Sequence, residues 1–394
     1  MTKAIALPIW VLLIQLLYRN NSREPESTLV CDDYFINRAK KSYAIILLLL
    51  PFFFAAFRVE FADTESYIHT FNSISDYSSL TAFANSYGKC ELFYGIEYYF
   101  YKYISQDAQF FLFLVALLQS VLFIRTIRRF SEDFGMSAYV FVCNAMVFNW
   151  MCNGIRQFIV VAILFSLVDT VLKGKWYIFL PIVVFLTGLS PFYKMLGIEG
   201  RPIWFLCGIH ESAIIVLPIY FIVRGKALTK KVWILLGVLL VLTALGLLDS
   251  FLDTSTENTM YANEMDHVHA DDGTNPIRVL VSSIPVLLVL YKRRNIINSE
   301  LPSIISLSIN MSFVSSTLYI ASIFTSGIFV GRLPAYCEVY NLILLPWLII
   351  NFHPHDRRII SPLLYALYLV YFIYQVLIVW GDNQFIIQIF GTQF

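Results

Sequence analysis

The chain has 394 residues, of which 58% are hydrophobic, 16% aromatic and only 14% charged, and its formal net charge is +1. No soluble domain of this length could bury that much apolar surface, so the composition predicts a polytopic membrane protein. The near-zero charge, with no basic stripe, offers nothing to nucleic acid.

Apolar stretches separated by short charged loops predict an all-α bundle of about twelve transmembrane helices, at roughly 20 residues per crossing. In chain order the predicted spans run from Ile5 to Tyr18, Tyr43 to Phe57, Ala108 to Ile124, Met136 to Trp150, Ile155 to Leu172 and Trp176 to Leu189. They continue from Ile209 to Val223, Val232 to Leu248, Ile277 to Tyr291, Ile304 to Phe324, Tyr336 to Ile350 and Ile359 to Trp380. The first ends in Tyr18-Arg19-Asn20, where a cleaved leader would carry small residues, and is read as retained. With no internal repeat or soluble appendage, residues 1–394 read as a single transmembrane domain.

Charge orients the bundle. Alternate loops hold most of the 28 lysines and arginines, while most of the 27 acidic residues lie on the other side. The positive-inside rule makes the basic loops cytoplasmic and turns both termini outward. Three outward segments are longer than a simple turn: 58–107, 191–208 and 249–276. The first is rich in tyrosine, from Tyr94 to Tyr103, residues suited either to a membrane-interface belt or to stacking on sugars. The third is acidic and contains Asp266-His267-Val268-His269-Ala270-Asp271-Asp272, which without a second ligand pair reads as a solvated loop rather than a metal site. Neither a metal nor a cofactor is expected. The six cysteines show no metal or redox spacing; most read as packing residues, although Cys90 and Cys207 could both face outward and pair.

Arg58, Arg156, Arg201, Arg278 and Arg332 fall at outward ends of the predicted spans, on the side that otherwise carries few basic residues. Any one could be a snorkelling side chain. As a set they point to an anionic ligand, because a guanidinium presents a forked donor matched to phosphate oxygens. His210 could transfer a proton or cap its helix, and Glu211 could answer the helix dipole. Asp63, a few residues after Arg58, could act as a base or as a structural ion pair.

These residues carry a resemblance. Arg58…Asp63-Thr64-Glu65-Ser66-Tyr67…Phe71, Ile155-Arg156-Gln157, His210-Glu211-Ser212-Ala213…Leu217-Pro218-Ile219-Tyr220, Asn275-Pro276-Ile277-Arg278 and Gly331-Arg332-Leu333…Tyr340 resemble, in that order, the EpsG-like branch of Wzy-type polysaccharide polymerases. Where that family carries a Gly-rich stretch before its Asp, this chain has Phe61-Ala62. The resemblance implies a metal-independent fold like that called GT-C, and polymerisation of undecaprenyl-pyrophosphate-linked oligosaccharide repeats into O-antigen, capsule or exopolysaccharide. The setting it implies is the periplasmic face of the bacterial inner membrane, in a lipid bilayer beside a flippase and a chain-length regulator. It further implies His210 or Asp63 as the catalytic group at the attacking hydroxyl. Arg58, Arg156, Arg278 and Arg332 would bind substrate at its phosphates, and Gln157 and Tyr67 would position sugars. An O-antigen ligase or other lipid-linked glycosyltransferase, a membrane acyltransferase, or a transporter of lipid-linked sugars are the alternatives. A transporter should show polar or broken helices at mid-membrane depth.

Overall fold

The computed structural model describes residues 3–31, 34–86, 92–190, 192, 196, 204–246, 273–325, 327, 330–380, 386–389 and 392–393. All twelve predicted apolar stretches are helical over much of their length. Among the described residues three helices, Ala108–Phe130, Ser303–Ile323 and Pro354–Val379, are long and apolar enough to cross a membrane. The pair Val330–Glu338 and Asn341–Ile350, bent by 53° at its break, makes a fourth if it is one span. Shorter apolar helices such as Lys3–Leu17, Lys41–Phe57 and Trp176–Thr187 pack among them. Large hydrophobic side chains face outward along them, Leu16, Ile45, Val121, Phe185, Ile234 and Val370 among others, as lipid contact requires.

The helix Ser303–Ile323 lies at the centre and is buried on nearly every side. Its serines and threonine suit that place: small residues let neighbouring helices approach closely where a bilayer supplies no hydrophobic drive. Asn310, midway along it, accepts a hydrogen bond from the Leu228 backbone N–H (2.9 Å) and donates to the Val223 carbonyl (2.8 Å). That fixes the turn between two neighbouring helices. Aromatic pairs close the remaining gaps, such as Phe123 stacked on Phe158 at 5.1 Å, each pair worth roughly 1 kcal/mol beyond its area.

Two features depart from the sequence reading. Several predicted spans are interrupted: Met136–Trp150 is two helices, Phe134–Cys143 and Ala145–Cys152, parted at Asn144, whose ψ of 92° is not helical. Ile277–Tyr291 likewise divides into Pro276–Ser282 and Ile284–Tyr291, and the stretch from Ile209 opens as a 3-10 turn, Glu211–Ile215, before the helix Val216–Val223. The fold is also not wholly helical. Arg23–Cys31 pairs antiparallel with Tyr34–Ala39. A short strand, Arg58–Glu60, pairs antiparallel with Ile386–Ile389, which pairs in turn with Thr392–Gln393. That sheet joins the end of the helix Lys41–Phe57 to a segment far later in the chain.

Candidate functional site

The helix Lys41–Phe57 delivers Arg58 into this strand, where the side chain is only 1% exposed. Its Nε donates to Thr64 Oγ1 at 3.0 Å and one Nη donates to the Ala55 carbonyl. The other Nη is buried without a hydrogen-bond partner. Four residues on, Ala62 takes φ +47°, the left-handed conformation that glycine adopts freely and alanine adopts at a cost. The chain then reverses into the helix Thr64–Asn72, with an exposed Asp63 at its N-cap position.

The tight turn at Asn153-Gly154 docks against this helix. Asn153 Oδ1 accepts from the Asp63 backbone N–H (3.3 Å), and its carbonyl accepts from the Tyr67 hydroxyl (2.6 Å). A Cβ on Gly154 would come within 2.4 Å of the Trp150 ring, so only glycine lets the indole fold under the turn. Arg332 lies over that same indole, 5.5 Å from the ring. Arg156, in the first turn of the next helix, lies 5.4 Å from the Tyr94 ring and donates to its hydroxyl at 3.3 Å.

Tyr67 is where these charges meet. Arg156, Asp63, Arg332 and Arg58 all act electrostatically on its hydroxyl. Desolvation is the largest influence and pushes the pKa up to about 12, Asp63 adding to the rise while the three guanidiniums oppose it. Five residues that the sequence scatters over 275 positions, from 58 to 332, therefore form one cluster. Gln157 extends it: buried, it donates to the Arg332 carbonyl at 2.9 Å and reaches the Tyr336 hydroxyl. Tyr336 in turn bonds Ser212 at 2.9 Å, which ties the His210-Glu211-Ser212 turn to the same region. His210 itself is half-buried and extended, with its backbone N–H on the Leu186 carbonyl at 3.1 Å.

Arg278 belongs to a second, deeper group. Asn275 caps its helix, accepting from the Ile277 N–H at 2.8 Å, and Pro276 occupies the first turn. The half-buried Arg278 acts on Glu338, Tyr319 and Tyr371. Glu338 is 1% exposed and is the principal residue that the sequence reading overlooked. Its Oε1 accepts from Asn144 Nδ2 (2.7 Å) and Ser282 Oγ (3.0 Å), and its Oε2 from the Tyr319 hydroxyl (2.6 Å). Asn144, Ser282 and Glu338 each stand at a helix interruption, so three broken helices meet on one carboxylate. A lone glutamate inside an apolar run was the signal that could have found it, since an ionisable side chain within a span is functional by default. The two groups adjoin through Gly331, where a Cβ would lie 2.6 Å from Thr274 Oγ1. Thr274 is held in place by Ser322.

Arg201, Cys90 and the His267/His269 segment lie outside the described residues. Cys207 is disulfide-bonded, and Cys143, Cys152 and Cys337 are buried free thiols. Leu92, just after Cys90 in sequence, donates its N–H to the Gly208 carbonyl at 2.5 Å, so the tyrosine-rich helix Leu92–Tyr103 is tied to the Cys207-Gly208 turn.

A family model described as the EpsG family matches residues 41–190 and 201–390, which covers every residue of both groups. The chain belongs to the EpsG family. No curated protein and no solved structure matches it. Membership makes this a polysaccharide polymerase-like membrane protein, in keeping with its apolar helices, and associates it with glycosyltransferase-like polymerases.

Proposed function

We propose that this EpsG-family protein polymerises oligosaccharide repeat units carried on undecaprenyl pyrophosphate, at the periplasmic face of the bacterial inner membrane, with the Tyr67 cluster as its catalytic centre. The bundle would follow the GT-C-like plan of about twelve crossings, each interrupted helix pair counting as one. The observation that carries the reading is the meeting of Arg58, Arg156 and Arg332 with Asp63 around one hydroxyl, on the side that charge assigns to the periplasm.

In the reaction an acceptor-sugar hydroxyl attacks the anomeric carbon of a lipid-linked donor. A new glycosidic C–O bond forms, the C–O bond to pyrophosphate breaks, and undecaprenyl pyrophosphate leaves with the electron pair. Charge grows on the departing oxygens, where oriented guanidiniums stabilise the transition state more than the ground state. Arg156 and Arg332 suit this because each lies against an aromatic ring, and Arg58 brings a buried N–H that lacks an acceptor. Arg278 would take the second phosphate or the acceptor's carrier. Asp63 or His210 would receive the hydroxyl proton, and Gln157 and Tyr67 would orient the sugars. The protein would work beside a flippase and a chain-length regulator.

Deleting the gene should leave single repeat units attached while removing the long-chain ladder on surface-polysaccharide gels. The 53° break beside the buried Glu338 also suits a transporter of lipid-linked sugars. Loss of even the single-unit product from the deletion strain would decide for transport or ligation.

A further inference from the structure

At the end of the bundle away from the arginine cluster, the chain turns through Asn351-Phe352-His353 from the helix Asn341–Ile350 into Pro354–Tyr374. Around this turn lies a cavity of about 440 Å³, lined by Phe352, Pro354, Arg357, Arg358, Ser361 and Pro362 among others. Arg357 and Arg358 are exposed at its rim. Lys292 stands beside them, 4.2 Å from the Phe352 ring and bonded to the Asn351 carbonyl, with Arg293 and Arg294 following it. The acids nearby are Asp356, which acts on Lys292, and Glu132, which feels Arg23 and Arg357, so positive charge remains in excess.

The same helix continues as an apolar wall. Ile359, Leu363, Leu367 and Val370 are 58%, 54%, 46% and 65% exposed, at spacings that align them in one stripe running away from the cavity. A soluble anion would use the arginines and ignore the stripe, and a membrane-embedded apolar partner would use the stripe and ignore the arginines. An anionic amphiphile uses both. The basic loops place this end in the cytoplasmic leaflet, where anionic lipid attracts clustered arginine and lysine.

We propose that this cavity is a binding site for one anionic phospholipid of the cytoplasmic leaflet, its headgroup phosphate on Arg357 and Arg358 and its acyl chains along Ile359, Leu363, Leu367 and Val370. The site is independent of the polymerase reading and lies at the other end of the molecule.

Native mass spectrometry of the full chain, released from detergent with phosphatidylglycerol or phosphatidylcholine of identical acyl chains, tests it. The unaltered protein should retain one phosphatidylglycerol in preference to phosphatidylcholine. Arg357→Gln and Arg358→Gln should each lower that retention roughly fivefold, while Arg293→Gln with Arg294→Gln changes it little. Equal retention of the two lipids by the unaltered protein would overturn the proposal whether or not the variants fold. So would undiminished retention by folded Arg357 and Arg358 variants, or displacement of the lipid by equimolar inorganic phosphate, which would mark a simple anion pocket.

Discussion

The two ends of this bundle treat arginine differently. At the basic end Arg129 pairs with Asp169 beside the Phe130 ring, Arg128 is buried on the Ala39 carbonyl, and Arg357 and Arg358 stand exposed, so each arginine there has its own separate setting. At the opposite end Arg156 lies on Tyr94, Arg332 lies over Trp150 and Arg58 is threaded between Thr64 and the Ala55 carbonyl. Rings and hydrogen-bonded slots restrain a guanidinium in orientation, whereas a carboxylate in water mostly balances it. The difference teaches that one end gathers its oriented guanidiniums around a single hydroxyl, that of Tyr67, while the other disperses them.

Lysine substitution tests that contrast most severely, because it keeps charge and removes the fork. Arg156→Lys, Arg278→Lys and Arg332→Lys should each reduce polymer formation by about a hundredfold at normal protein abundance, the scale of losing one oriented transition-state donor. Arg129→Lys should leave the gel ladder unchanged, and equal tolerance at both ends would dissolve the distinction. Glu338→Ala should extend the ordered end inward: with three donors on the carboxylate left without acceptors, the thermal unfolding midpoint in detergent should fall by the equivalent of about 2 kcal/mol. An unchanged midpoint would mean that the three helix breaks hold without it.

A pH series sharpens the basic end. Burial pushes the Glu132 carboxyl up to about 7, against the pull of Arg23 and Arg357. A folded-state pKa above the unfolded value stabilises fully below about 4.5, and that contribution is lost as pH rises toward 7. Glu132→Gln should therefore raise stability at pH 8 by about 1 kcal/mol after allowing for solvent screening, and leave it unchanged at pH 4. A gain at both values would assign the effect to packing. The smallest change belongs to Ala62→Gly. Releasing the left-handed alanine outweighs the added freedom of the unfolded chain by roughly 0.5 kcal/mol, so polymer levels should stay level while the midpoint rises slightly.

Much of this was legible in the sequence, for reasons that differ between elements. The twelve apolar stretches announce helices because a bilayer admits little else, and Asn275-Pro276 marks its helix start by cap chemistry that is entirely local. Asn144 was not legible as a break, since Cys143 and Ala145 on either side keep the apolar run going while the backbone turns. The strand Arg58–Glu60 was hidden for a related reason: three residues carry no period, and their partner Ile386–Ile389 lies far along the chain. Position alone selected Arg58, Arg156 and Arg332, but which arginines meet depends on tertiary packing, and Arg278 falls in the other group. Glu338 was written plainly in an apolar run and only its three donors, from distant helices, reveal its setting.

The pairing of Arg58 with Ile387 bears on how the protein is made. During synthesis the helix Lys41–Phe57 enters the membrane early, yet the strand that completes the backbone around Arg58 emerges only after every intervening span has been inserted. The donors of Asn144 and Ser282 wait in the same way for residue 338. A partly synthesised chain thus has its anchors before it has its arginine cluster closed, and a ribosome that stops short leaves a membrane-bound fragment in which the strand at Arg58 has no partner.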